Sequence, residues 1–142
     1  FERGFESTEC LREVAALYDL VPGIGVKAVV PDELRATCRR DELKEVLLNL
    51  LDNARNAGAT TLTVRAGDSY MEVRDDGRGI PAELLPRVFE PRFTTTSSGA
   101  GLGLAIVRRL VEGWQGTVSL ESVAGKGTTV RIDFALPNAG GG

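Results

Sequence analysis

The chain has 142 residues, 42% apolar and 26% charged, the size and make-up of one soluble domain with a single core. A net charge of -3 with no basic cluster gives no electrostatic reason to expect nucleic acid, and no apolar run approaches the roughly 20 residues that span a bilayer. The absence of histidine excludes Ser-His-Asp and Cys-His catalysis and a His-liganded zinc site.

Ser7 to Leu20 reads as a helix capped by Ser7, with Glu9 or Cys10 near the capping-box position and Leu11, Val14, Ala15, Leu17 and Tyr18 as its apolar side. Pro22 and Gly23 end it. Gly25 to Val30 reads as a strand, Pro31 and Asp32 as a turn, and Leu34 to Cys38 as a second short strand. Cys10 and Cys38 form neither a disulfide framework nor a metal cluster, and Cys38 is expected to be a small core residue. With no signal peptide in view, a reducing, cytoplasmic setting is the default. Because it starts at Phe1, the chain is expected to be a piece of something longer.

The segment DELKEVLLNLLDNARNAG, from Asp41 to Gly58, is an amphipathic helix with Asp41 as its cap and Gly58 at the C-terminal glycine position. Leu43, Val46, Leu47, Leu50, Leu51 and Ala54 recur at helical spacing and form its core stripe. Glu45, Asn49, Asp52, Asn53 and Asn56 share an adjoining face. Asparagine is a poor helix former because its amide competes for the backbone, so this concentration suggests a stripe kept for coordination. Amide oxygens one turn apart, as on Asn49 and Asn53, are hard neutral ligands suited to Mg²⁺. The plainer alternative is a face that hydrogen-bonds a neighbouring loop.

A hairpin follows, with strands Thr61 to Ala66 and Tyr70 to Arg74 around the turn Gly67, Asp68, Ser69. From Asp75 to Gly103 the chain is rich in Gly, Pro, Thr and Ser, with one helical turn near Ala82 to Phe89, and such length points to a functional lid. DDGRGI opens this stretch. A carboxylate there can accept a hydrogen bond from an exocyclic amine such as that of adenine, although an Asp-Gly turn alone is common. At its far end, GAGLGL puts Gly99, Gly101 and Gly103 at the start of a helix running from Leu102 to Trp114. Glycines before a helix N-terminus let a phosphate approach free N–H groups and a favourable dipole. A Rossmann fingerprint fails on spacing and lacks a preceding strand, and a Walker loop fails for want of Lys-Ser or Lys-Thr. Strands Thr117 to Glu121 and Thr128 to Leu136 enclose VAGKGT and complete the chain.

NLLDN, DDGRGI, VFEPRF, GAGLGLAIV and GKGT, in this order, resemble the asparagine, glycine and phenylalanine boxes of the ATP-binding domain of sensor histidine kinases. These belong to the superfamily of gyrase, mismatch-repair ATPases and heat-shock chaperones. The resemblance implies an α+β fold: a two-layer α/β sandwich of the Bergerat type, with a mixed, mostly antiparallel sheet on about three helices and a mobile ATP lid. It implies one ATP-binding domain over residues 1–137 and a tail or linker over 138–142.

The resemblance also implies residue roles. Asn53 would be the principal Mg²⁺ ligand with Asn49 beside it, and Asp75 would bind the adenine amine, with Gly77, Gly79 and Ile80 around the base. Gly99, Gly101, Leu102, Gly103 and Leu104 would line the triphosphate of ATP, under a lid from Phe89 to Ser98 anchored by Phe89 and Phe93. Thr128 would support Asp75 through its hydroxyl or a water. Many relatives carry Lys and Tyr where Asn56 and Ala57 stand, and a lid Lys where Thr96 and Ser97 follow, so Arg92, Arg55 or Arg87 would replace the lid Lys at the terminal phosphate.

Asn49 stands where the superfamily's ATPases place a water-activating glutamate, which argues against chaperone or topoisomerase activity. The implied activity is protein histidine kinase, with Asn49, Asn53 and Arg92 at its centre. The acceptor would be a histidine on a separate dimerisation domain, with a response regulator downstream. This domain would be a monomer without direct membrane contact, and alone it would bind ATP without autophosphorylating. The rivals are a nucleotide-responsive binding module without transfer and an anti-sigma-factor-type serine kinase.

Overall fold

The computed structural model describes residues 4–31, 34, 38–90 and 103–135. The first helix, α1, spans Gly4–Tyr18, and strand β1 spans Gly25–Val29. Helix α2 covers Arg40–Asn56 and leads into strands β2, Thr61–Ala66, and β3, Tyr70–Asp75. A 3-10 segment, Ala82–Arg87, precedes helix α3, Gly103–Gly113, and strands β4, Thr117–Val123, and β5, Gly127–Asp133. The five strands form one sheet in the order β1-β2-β3-β5-β4, in which β1 and β2 run parallel and every other pair antiparallel. This is the expected mixed, mostly antiparallel sheet on three helices. The strand expected from Leu34 to Cys38 and the tail 138–142 lie mainly or wholly outside the described residues.

Alternation decides which face of the sheet is covered. Leu62, Val64, Met71, Val73, Val130 and Ile132 are buried with the helices, while Thr61, Arg65, Arg74 and Glu121 point to solvent. All six apolar positions expected on α2 are buried, so the helix meets the sheet along one stripe and turns its amide face aside. On α1, Leu11, Val14, Ala15 and Tyr18 are buried, but Leu17 is 62% exposed. The three- and four-residue steps 11, 14, 15, 18 make one stripe, and position 17 falls off it.

The two ends of α2 differ from each other in their capping. Asp41 does not cap it: the cap position is Arg39, with no side-chain cap bond, and Asp41 lies in the first turn, where its charge favours the helix dipole. The C-terminus closes as expected on Gly58, which adopts φ +79. Its N–H bonds Arg55 O at 3.0 Å, and Ala59 N–H bonds Ala54 O at 3.1 Å, a Schellman closure with Ala54 and Ala59 both buried.

Two long-range contacts fix α2 against its neighbours. Trp114, after α3, donates its Nε1–H to Glu42 Oε1 at 2.8 Å and stacks on Phe134. Because Gly103 at the other end of α3 meets Asn53, α3 runs antiparallel to α2. On the other flank the Tyr18 hydroxyl donates to Asp52, and burial followed by that carboxylate pushes the phenol up to about 12 from an ordinary 10.0. A raised folded-state value means that this contribution is complete below pH 10 and is lost as pH rises through about 12. Tyr18→Phe is therefore expected to cost about 1 kcal/mol near neutrality and to flatten the alkaline fall in stability, read by urea melts at neutral and strongly alkaline pH.

Candidate functional site

Asn49 and Asn53 lie one turn apart on α2, both partly buried. Asn49 donates its Nδ2–H to Glu45 O at 2.9 Å, which settles the orientation of the amide and leaves Oδ1 facing away from the helix. Asn53 Nδ2 is buried with no hydrogen-bond partner among the described residues. An orphaned buried donor costs about 1–3 kcal/mol, so a fold that keeps one has a use for that amide. Directly across lies the first residue of α3. A Cβ on Gly103 would sit 3.0 Å from Asn53 Oδ1 and 3.5 Å from Asn49 Oδ1. Glycine thus brings the N-terminal turn of a helix, with its unpaired N–H groups and positive dipole end, against two amide oxygens.

That donor set fits a hard divalent cation that also takes oxygens from a bound anion and from water. Among the described residues no group of three Asp, Glu, His or Cys side chains could hold a metal ion, which leaves the two amides as the candidate donors.

The second centre lies at the end of β3. Asp75 accepts Gly77 N–H at 2.8 Å, and the backbone N–H of Thr128, its partner in the β3–β5 register, also reaches the carboxylate. Burial raises the Asp75 pKa; the Gly77 and Thr128 N–H groups offset part of this, and the neighbouring Asp76 charge adds to it. The hydroxyl of Thr128 pairs with Ser122 Oγ at 2.8 Å, and it is the Thr128 backbone N–H that reaches Asp75.

Asp76 has a different task. Its carboxylate accepts Thr60 N–H at 2.8 Å, Thr61 N–H at 3.0 Å and the Thr60 hydroxyl at 3.0 Å. The Thr61 and Thr60 amides hold its pKa below the usual range, and it pins the turn to the start of β2. Ser122 bridges the other side, accepting Ile80 N–H at 2.8 Å and donating to Gly127 O at 3.0 Å. Gly79, at φ +71, lies so close to the Val123 carbonyl that a Cβ would collide with it. The turn DDGRGI is thereby fastened between β2 and the β4–β5 loop, leaving Asp75 as the carboxylate that faces inward.

Asn49, Asn53 and Gly103 thus come together, and Asp75, Gly77, Gly79, Ile80 and Thr128 form a second cluster in one layer of the fold. Leu104 is partly buried against the core. Of the three cations weighed for a terminal phosphate, Arg55 lies against Tyr18 and Arg87 pairs with Glu90 at 3.3 Å. Arg92, Phe93, Gly99, Gly101 and Leu102 lie outside the described residues, as does the lid beyond Glu90. Phe89 is described, with the Arg108 guanidinium 5.8 Å from its ring centroid. Ser122 is a contributor that sequence reasoning missed. Its signal was a polar residue at the inward position of a strand, following Val118 and Leu120.

A helix bearing paired amides, a glycine at the mouth of a second helix and a carboxylate at a strand end define a nucleotide-binding ATPase domain. Residues 38–138 match the family described as histidine kinase-, DNA gyrase B- and HSP90-like ATPase, and the chain belongs to it. It is 45% identical over 104 residues to the sensor histidine kinase ZraS of Klebsiella oxytoca, covering 68% of this chain and 22% of that protein. The catalytic domain of histidine kinase ThkA superposes with a TM-score of 0.73 at 28% identity, covering 96% of this chain and 97% of that one. Full-length ShkA, solved in complex with AMPPNP, matches with a TM-score of 0.68 at 26% identity over 92% of this chain and 31% of that one. The chain therefore has the fold and family of the histidine-kinase catalytic domain, and it spans about a fifth of the curated relatives it matches.

Proposed function

We propose that this domain holds Mg·ATP and offers its γ-phosphoryl group to a histidine on a dimerisation domain of the same parent protein, from which a response regulator is then phosphorylated. The observation that supports this most is the approach of Gly103 to the amides of Asn53 and Asn49, which joins a phosphate-suited helix N-terminus to a cation-suited face. Asn53 and Asn49 would hold Mg²⁺, and Asp75 would accept the adenine amine. Mg²⁺, when bound, supplies neutralisation of charge on the phosphate oxygens.

Phosphoryl transfer needs positioning and charge neutralisation more than a nucleophile from the protein, and this chain has no histidine to supply one. The acceptor therefore lies elsewhere, and a supply of ATP places the domain on the cytoplasmic side of any membrane. ShkA bound to AMPPNP is a relative in keeping with this reading.

Calorimetric titration of ATP into the domain with Mg²⁺ and then with EDTA tests the site. Metal-dependent binding is the expected result, and no binding in either buffer would remove it. Adding the parent's histidine-bearing domain and labelled ATP then tests the transfer, with label expected on that partner and none on this chain. Binding without transfer to it would leave a nucleotide-responsive module.

A further inference from the structure

The residue between the two glycines of the DDGRGI turn carries the next inference. Arg78 is exposed, and its guanidinium donates to the carbonyl of Asn56, the last residue of α2. Its backbone N–H donates to Ala57 O at 2.9 Å, and its own carbonyl accepts Gly125 N–H at 2.6 Å. The final carbonyls of a helix have no partner within it and carry the negative end of the dipole. The Schellman closure takes up Ala54 O and Arg55 O, and the carbonyls of Asn56 and Ala57 go to Arg78. A cation from 22 residues away thus completes the end of the helix that carries Asn49 and Asn53. Nothing in the turn's own conformation requires that side chain, since the neighbouring glycines provide the bend.

From this we infer that Arg78 is a positioning residue that sets the distance between the cation face and the base-binding carboxylate. Asp75 sits three residues before Arg78 on the turn, and Asn53 sits three residues before Asn56 on the helix. The guanidinium therefore ties the end of the helix that carries Asn53 to the turn that follows Asp75. A ligand that spans both centres depends on that tie, whereas one that occupies the Asp75 end alone does not. The inference rests on the proposed nucleotide site and makes a claim that site does not require: Arg78 touches no nucleotide and acts on its affinity.

The test compares two probes on the intact domain, Mg·ATP and adenosine without metal, in wild type, Arg78→Ala and Arg78→Lys. Calorimetry is expected to show Mg·ATP affinity reduced about fivefold or more in Arg78→Ala, with adenosine affinity changed less than about twofold. Arg78→Lys, which keeps the cation at the helix terminus, is expected to recover most of the Mg·ATP affinity. Circular dichroism establishes that each variant is folded, and Arg78→Gln, which removes the charge but keeps most of the side chain's length, is expected to show the same selective loss and carries the test if the alanine variant is not folded. Equal losses for both probes would make Arg78 a local support of the turn and overturn the inference, as would no loss for either. A wild-type domain that binds neither probe would instead remove the nucleotide site itself, an outcome separate from any behaviour of the variants.

Discussion

Asn53→Ala is expected to abolish the stabilisation that Mg·ATP confers on the domain while leaving the ligand-free protein as stable as wild type or slightly more so. Two separate effects produce this. In the free domain Asn53 Nδ2 is buried without a partner, and its removal relieves a cost of about 1–3 kcal/mol while installing a better helix former. The cavity left is small and opens toward Gly103. In the complex the substitution deletes an amide oxygen assigned to the cation. Loss of an outer-shell partner alone costs about ten- to a hundredfold in metal affinity, so loss of a ligand costs about a hundredfold or more. Thermal melts with and without Mg·ATP read both, because a ligand that binds only the folded state stabilises it by RT ln(1 + L/Kd), where L is the free ligand concentration, and so raises the midpoint. A mutant whose midpoint rises with Mg·ATP as much as wild type's would show that Asn53 is not a ligand. A mutant with a sharply lowered ligand-free midpoint would show that the amide is structural.

Most of this architecture was legible in the sequence where a single period ruled a segment. The six apolar positions of α2 were readable because a helix buried on one side repeats strictly, and the β2–β3 hairpin because two alternating runs flanked a Gly-Asp-Ser turn. Leu17 was misplaced because α1 is apolar at more positions than one stripe can hold, and only packing selects which are buried. Asp41 was misplaced as a cap because Asp suits both the cap and the first turn, and the dipole rewards either.

The site divided along similar lines. Asn49 and Asn53 stood out because asparagine is anomalous in a helix, and Asp75 through the likeness of DDGRGI to a glycine box. Ser122 and Arg78 did not, because their partners lie across strands or on another element. Ser122 meets Thr128 only through the β4–β5 register, and Arg78 meets Asn56 only once the turn has folded onto α2. Thr128 was expected to support Asp75 through its hydroxyl or a water. In the structure its backbone N–H reaches the carboxylate, while the hydroxyl pairs with Ser122, a neighbour that only the β4–β5 register reveals.

Asp75→Asn is expected to lower ATP affinity by roughly ten- to a hundredfold and, at neutral pH, to raise the stability of the ligand-free domain. The substitution is isosteric and keeps an oxygen that can accept the Gly77 N–H, which Asp75 receives at 2.8 Å. The other atom becomes an NH₂ that would face the exocyclic amine, donor against donor. Stability moves the other way because burial raises the carboxyl pKa in the folded state. Between the ordinary and the raised value the native protein binds more protons than the unfolded chain, so the Asp75 contribution is complete at low pH and is lost as pH rises through the raised value. Asparagine has no charge to bury and escapes that loss.

Binding carries the opposite sign. The base needs the ionised carboxylate, so wild-type affinity is expected to fall as pH drops through the raised value, which lies above that of an ordinary aspartate. Titrations of ATP across the acidic range, paired with urea melts of the free domain, separate the two effects. Wild type should show affinity climbing with pH while this part of its stability declines, and the asparagine variant should show both curves flattened. Equal ATP affinity in variant and wild type would take Asp75 out of the adenine site, and an affinity loss matched by a loss of stability would make it a structural residue of the turn.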